Sequence, residues 1–145
     1  APGSFCNGSV FNETDAKCPP GRYCPRADLI QECEIGDYCP EGTFASARSR
    51  RACQVGYYCP NTTVQIPCQN GSYTNRIQST SCIDCQANFF CTDTFQQPCP
   101  SNSFSQPNSW QRSQCICGKG FVGDLTDENA VCAQETNEFD ITLTV

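Results

Sequence analysis

The chain has no histidine, no methionine and a single tryptophan in 145 residues. Without histidine the usual general base is missing, and with it the Ser–His and Cys–His dyads and most catalytic zinc sites. Core-forming residues are scarce: Ile, Leu, Val and Phe together number 25. A chain of this length ordinarily buries one core of Leu, Ile and Val, and so low a fraction reads as disorder unless something else holds the chain. No apolar run approaches the ~20 residues of a transmembrane helix, so no membrane insertion is expected. Nine Lys and Arg stand against 15 Asp and Glu, a net charge of −6. Nucleic acid is therefore not expected as a partner, because phosphate binding depends on clustered cations. Together these absences point away from enzymatic chemistry and cofactors, and toward holding, binding or assembling.

What the chain has in abundance is cysteine, 15 residues. That density marks a disulfide scaffold, in which crosslinks restrict the unfolded chain and each contributes about 2–4 kcal/mol. Such crosslinks persist in oxidising compartments, so the expected location is extracellular, secreted or associated with a cell surface or appendage. Four Asn-x-Ser/Thr triplets begin at Asn7, Asn12, Asn61 and Asn70, and N-linked glycans are expected on them. The chain opens on Ala1-Pro2-Gly3 with no apolar leader. This reads as a mature N-terminus after signal removal, or as a fragment of a longer ectodomain.

One octet, Cys-x-x-Gly-x-Tyr-Cys-Pro, occurs three times, at 18–25, 33–40 and 53–60. A second motif, Cys-x-x-(Gly/Asn)-(Ser/Thr)-aromatic, opens the long loops at Cys39–Phe44, Cys68–Tyr73 and Cys99–Phe104. Gly or Asn suits the left-handed corner of a tight turn, and Ser or Thr can bond the turn backbone. The aromatics are expected to pack on neighbouring sulfur, including Tyr23, Tyr38, Tyr58 and Phe90 at the matching place in the six-residue cysteine spacings. The cysteine gaps repeat with a period of roughly 32–35 residues, in the range of linear repeat arrays. The expected fold is small and disulfide-rich: a linear array of short β-hairpin modules with little regular secondary structure and a C-terminal β-strand. Its parts are an N-terminal glycosylated segment (1–17), repeats at 18–52, 53–84 and 85–114, a terminal hairpin at 115–135 and the strand at 136–145.

Cys115-Ile116-Cys117-Gly118-Lys119-Gly120-Phe121, closing at Cys132, has the form of an epidermal-growth-factor-like terminal hairpin. With Cys99–Ser105 and Cys39–Phe44 it makes residues 18–132 resemble the ephrin-receptor-like cysteine-rich repeat family, akin to growth-factor and tumour-necrosis-factor-receptor modules. Such modules serve as spacers in receptor ectodomains, and they occur in secreted glycoproteins such as flagellar-hair proteins. The resemblance, with the loop lengths, implies the pairs Cys39–Cys53, Cys68–Cys82, Cys99–Cys115 and Cys117–Cys132. An odd cysteine must remain: a buried or capped thiol, a disulfide to another subunit, or the mark of a truncated chain.

Other chemistry is weaker. Cys82-Ile83-Asp84-Cys85 is a lone Cys-x-x-Cys whose aspartate would raise a thiol pKa, against a redox role. Asp124, Asp127 and Glu128 read as a solvated acidic turn, because calcium wants six to eight oxygens in a defined array. Arg48-Ser49-Arg50-Arg51 has the form read by furin-type proteases, but inside a Cys39–Cys53 loop a cut would leave the halves tied. It reads as a charged loop or as a contact to an acidic neighbour. Phe139, Ile141, Leu143 and Val145 alternate with polar residues, the best strand signal in the chain. They are the expected assembly residues of a secreted structural subunit whose main partner is another copy of itself, by strand addition. The alternative is a spacer or protein-ligand-binding module of a receptor-like or adhesion ectodomain.

Overall fold

The octet folds as its residue types require. The computed structural model describes residues 4–5, 16–26 and 28–136. In the first octet the Arg22 amide donates to the Pro19 carbonyl, and Gly21 has φ +79°. Pro20 presets the first corner and Gly21 takes the second, left-handed one, the pattern of a type II turn. The same bond and the same positive φ recur at Gly36 and Gly56, and also in the second motif at Gly42 and Asn102. The two motifs are one device: a cysteine followed three residues later by Gly or Asn in left-handed backbone. A fourth six-residue loop, Cys85–Cys91, uses Asn88 at φ +71° where the octet has glycine. Asparagine enters this region more readily than most side chains.

The turns at Gly21, Gly56, Asn88 and Asn102 lead into short antiparallel strand pairs, whereas the turn at Gly36 is followed by an isolated bridge between Asp37 and Ala52. After β1 (Ser4–Phe5) and β2 (Ala16–Lys17), which pair together, β3 (Arg22–Arg26) pairs with β4 (Leu29–Glu32). One helical turn, α1 (Arg48–Arg51), precedes the paired β5 (Tyr57–Asn61) and β6 (Val64–Pro67). Short extended pieces follow at Ser72–Tyr73 (β7) and Ile83–Asp84 (β8). Then β9 (Phe89–Cys91) pairs with β10 (Gln96–Pro98), β11 (Ser103–Phe104) with β12 (Ile116–Cys117), and β13 (Phe121–Val122) with β14 (Ala133–Gln134). The β3–β4 register shifts between Tyr23 and Arg26, and the β5–β6 register between Tyr58 and Asn61. Pro25 and Pro60 lie inside those breaks. A proline has no amide to donate to a ladder and is tolerated at a bulge. The final residue of the octet therefore sets where the ladder breaks.

All fourteen described cysteines are paired, each with the next one along the chain: Cys18–Cys24, Cys33–Cys39, Cys53–Cys59, Cys68–Cys82, Cys85–Cys91, Cys99–Cys115 and Cys117–Cys132. No two of these loops overlap or nest. The expected Cys39–Cys53 bond is thereby corrected. Cys39 is taken by Cys33 and Cys53 by Cys59, because the octet turn brings its own two cysteines together. Their Cα atoms are 6.7 Å apart at Cys33–Cys39 and 5.9 Å at Cys53–Cys59, within the span of a disulfide. The 14-residue gap from Cys39 to Cys53 matches the gap from Cys68 to Cys82 in number only. Cys82 and Cys115 stand just ahead of the next turn's cysteine, and at that place before Cys53 the chain has arginine. The fifteenth cysteine, Cys6, lies outside the described residues, as do Asn7, Asn12 and the expected strand with Phe139, Ile141, Leu143 and Val145.

The interior is sulfur. Apart from half-cystines, the buried apolar residues among those described are Ala52 and Leu125. The aromatics divide. Phe90 packs with Phe121 on a cluster of Cys115, Leu125 and Cys132. Phe44 and Phe104, expected to cover sulfur, are more than half exposed. The described residues are therefore a small disulfide-rich fold of consecutive cysteine-rich hairpin modules, with almost no helix.

Two compact units divide the chain. One combines the chain up to Gln69 with Tyr73–Ile83 and Asp93–Phe95; the other takes Asn70–Ser72, Asp84–Thr92 and the chain from Gln96. Within both, the hydrogen bonds recur in register. In the first unit the amides of Gly21 and Gly56 donate to the carbonyls of Cys39 and Thr74, and those of Cys33 and Cys68 to Gly21 and Gly56. In the second, Asn88 donates to Ser105 and Cys99 to Asn88. Each six-residue loop is thus gripped by the chain that follows it. Gly71 of the second unit, at φ +86°, shows how close the approach is: a Cβ there would overlap the Asn108 carbonyl group. Gly120 has the same backbone, φ +84°, and a Cβ there would meet nothing within 4 Å. Gly120→Ala is expected to cost about 1–2 kcal/mol from backbone strain alone. Gly71→Ala is expected to cost clearly more, and equal losses in denaturant titrations of the two variants would contradict the close approach.

Candidate functional site

The one densely charged cluster among the described residues is built where the later modules have a disulfide. Asp37 occupies the x position of the second octet and is fully buried. Its Oδ2 accepts from Arg51 Nε at 3.1 Å and its Oδ1 from Arg48 Nε at 3.1 Å. Arg48 also pairs with Glu34 at 2.6 Å. The buried Arg51 guanidinium donates to the carbonyls of Ala45 and Ser46 and lies 3.8 Å over the Tyr23 ring. Tyr23 in turn donates its hydroxyl to Gln31. The four residues of α1 could not hold a helical turn by themselves, since an isolated turn does not offset its nucleation cost. Asp37 supplies the missing stabilisation by binding both ends of that turn.

Arg48-Ser49-Arg50-Arg51 is thus a clasp within the chain, satisfied by Asp37 and Glu34. Sequence reasoning missed the acceptor. The available signal was an acidic residue inside the octet, 11 and 14 positions before two arginines of the opposite charge. Cys33, Asp37 and Cys39 bring three ligand-type atoms within 4.8 Å of one another. Both sulfurs are spent in one disulfide and the carboxylate is held by two arginines, so the group does not fit a metal ion.

In the second unit Arg112 plays a related part. Its guanidinium donates to the carbonyls of Leu125, Asp127 and Ala130 and so gathers the acidic turn. Asp124 Oδ1 accepts from the Thr126 amide and hydroxyl, and Asp127 Oδ1 from the Asn129 amide. The Thr126 hydroxyl, and then its amide, hold the Asp124 carboxyl below the usual range. These carboxylates serve turn geometry. Two further polar residues that sequence reasoning missed are Thr74 and Ser105, each following a motif aromatic. The buried Thr74 hydroxyl accepts from the Gly56 amide at 2.8 Å, and Ser105 donates to the Phe89 carbonyl at 2.8 Å.

Of the glycosylation triplets, Asn61 and Asn70 are described and both are exposed. Asn61 closes β5, where its Oδ1 accepts from the Thr63 amide and hydroxyl. Exposed apolar residues occur on both units, and on the second some of them are neighbours. Phe104 and Ile116 face each other across β11 and β12, and Ile116, Phe121, Val122 and Leu125 line an open depression. No helix among the described residues is long and apolar enough to cross a membrane.

Consecutive disulfide-closed hairpins, turn-encoding cysteine motifs and a sulfur interior define a cysteine-rich repeat module. The chain is similar to a Toxoplasma gondii protein, cysteine repeat modular protein A, at 27% identity over 150 residues, which is 86% of this chain and 4% of that protein. The chain thus spans a small fraction of the length of the curated relative it matches. No family model and no solved structure matches it.

Proposed function

We propose that the chain is a secreted, glycosylated and non-enzymatic structural module that assembles with copies of itself into an extracellular filament or coat. The observation that carries this reading is the recurrence of the same hydrogen-bonded grip in successive modules. Nearest-neighbour contacts of that kind can be repeated without limit, as in other repeat arrays. The similarity to a protein named for modular cysteine repeats supports the same reading. Asn61 and Asn70 would carry sugar on exposed turns. The alternating segment Phe139–Val145 would add as a strand to a sheet edge of the next copy, a head-to-tail contact that does not close on itself.

The test is electron microscopy of the unreduced secreted chain, with and without residues 139–145, alongside its intact mass. Ordered filaments from the full chain, lost on deletion, together with a mass above the bare peptide, are the expected result. Filaments indifferent to the deletion would remove the strand-donor role, and a bare-peptide mass would remove the glycans. Dispersed particles in both samples would favour the second reading, a spacer or ligand-binding module of an adhesive ectodomain. The exposed Phe104–Ile116 pair is the specific feature that reading would use.

A further inference from the structure

The corrected disulfide pairing changes what the Arg48–Arg51 run can do. Had Cys39 bonded Cys53, a break in residues 40–52 would have left both halves tied. Instead the nearest bonds on either side are Cys33–Cys39 and Cys53–Cys59, and no disulfide among the described residues spans the interval. We infer that Arg48-Ser49-Arg50-Arg51 is a guarded processing site. An endoprotease that reads Arg-x-Arg-Arg would hydrolyse the Arg51–Ala52 bond once Asp37 releases the arginines, dividing the chain into two separately crosslinked pieces. Water adds across the peptide C–N bond, leaving the Arg51 carboxylate and the Ala52 amine.

The guard is visible on the backbone of the scissile bond and on two of the three arginines such a protease must engage. Substrate segments are commonly bound as extended strands, whereas here Arg48–Arg51 is a helical turn. The side chains that correspond to the first and last arginines of the motif are both bound to Asp37. The residues flanking the bond are buried, Arg51 at 8% and Ala52 at 6% exposure. The bond's own neighbours are occupied too: the Arg51 carbonyl accepts from the Tyr38 amide at 2.6 Å, and the Ala52 amide donates to the Arg48 carbonyl at 2.8 Å. Of the three arginines, Arg50 alone has no such restraint and is exposed to solvent. After a cut, the pieces would still be joined by hydrogen bonds such as Cys53 to Gly36 and Cys39 to Thr62. They would part only under denaturing conditions or tension.

The experiment treats the unreduced full chain and its Asp37→Asn variant with a soluble Arg-x-Arg-Arg endoprotease. Products are followed by denaturing, non-reducing electrophoresis and by N-terminal sequencing. The wild type is expected to resist, while the variant is cut at the one position before Ala52, at least about tenfold faster, because cleavage of a guarded site tracks the population of its open form. The product should run as two bands without reductant. Equal rates for wild type and variant would overturn the guard, a folded variant left uncut would overturn the site, and a single band would overturn the claim that the pieces are not covalently tied. Trypsin detects general unfolding of Asp37→Asn through new cuts at Arg22 or Arg76. In that event Tyr23→Leu, which removes the ring beneath Arg51 and its hydroxyl bond to Gln31 but leaves Asp37 in place, decides: faster cutting before Ala52 supports the proposal, and an unchanged rate overturns it.

Discussion

Full reduction is expected to unfold the whole chain, with no cooperative transition left by circular dichroism or calorimetry. The interior that excludes water is made of half-cystines, and only Ala52 and Leu125 add buried apolar side chains among the described residues. Burying a large aliphatic side chain contributes about 1.5–3 kcal/mol, far below the ordering entropy of a chain this long. The bridges act instead on the unfolded state. On the chain-entropy model a loop of about 15 residues, such as Cys117–Cys132, contributes about 3 kcal/mol, and the six-residue loops each contribute a little over 2 kcal/mol. Losing all seven removes more than the 5–15 kcal/mol by which a domain is ordinarily stable. A sharp thermal transition in the fully reduced, thiol-blocked chain would show that a core exists outside the sulfurs. The reverse process should be simple, since each described cysteine pairs with its chain neighbour and none of those bridges needs a long-range encounter.

Asp37→Ala is expected to be the most damaging single substitution outside the cysteines, costing about 3–5 kcal/mol in chemical denaturation, because it strands a buried guanidinium. Arg51 would keep its carbonyl partners Ala45 and Ser46 and the Tyr23 ring, but no counter-charge inside the fold. The double variant Asp37→Leu, Arg51→Met removes both charges, and a buried pair replaced by apolar groups of similar volume is often near neutral. It should therefore lie well above Asp37→Ala in stability. Removing the exposed Arg22–Glu32 pair, by contrast, should change stability by less than about 1 kcal/mol. If Asp37→Ala proved as mild as that surface change, the clasp would not hold the 40–52 segment.

The contrast between these residues explains what could be read from the sequence. Turn chemistry was legible because it is local: in both motifs cysteine, two residues, then Gly or Asn takes a left-handed corner, and a hairpin follows at Gly21, Gly56 and Asn102. Asn88 was harder to see because asparagine replaced glycine, Phe90 replaced tyrosine and Thr92 replaced proline. Disulfide partners were legible where one candidate lay within reach, as at Cys68 and Cys82. They were misread at Cys39 because family likeness and equal spacing were weighed above the turn that had already delivered Cys33. The clasp was opaque for another reason. Asp37 and Arg51 are 14 positions apart, each with an ordinary surface reading, and burial turns them into partners. Thr74 and Ser105 were hidden in the same way, since a hydroxyl after an aromatic carries no periodic signal.

Because every bridge among the described residues joins immediate neighbours, the chain has a mechanical as well as a chemical reading. A pull on the two ends passes through the sulfur bridges and leaves the enclosed residues slack. About half of the chain between Cys18 and Cys132 therefore bears no tension. Asn70 lies in one of those sheltered loops, whereas Asn61 lies on the strained path. So does the stretch between Cys39 and Cys53, which could extend to roughly 45 Å once its salt bridges open, at up to 3.3–3.6 Å per residue. The ionic clasp is the fastener on the longest stretch between bridges among the described residues, and it can close again after the load is gone, as a broken peptide bond cannot.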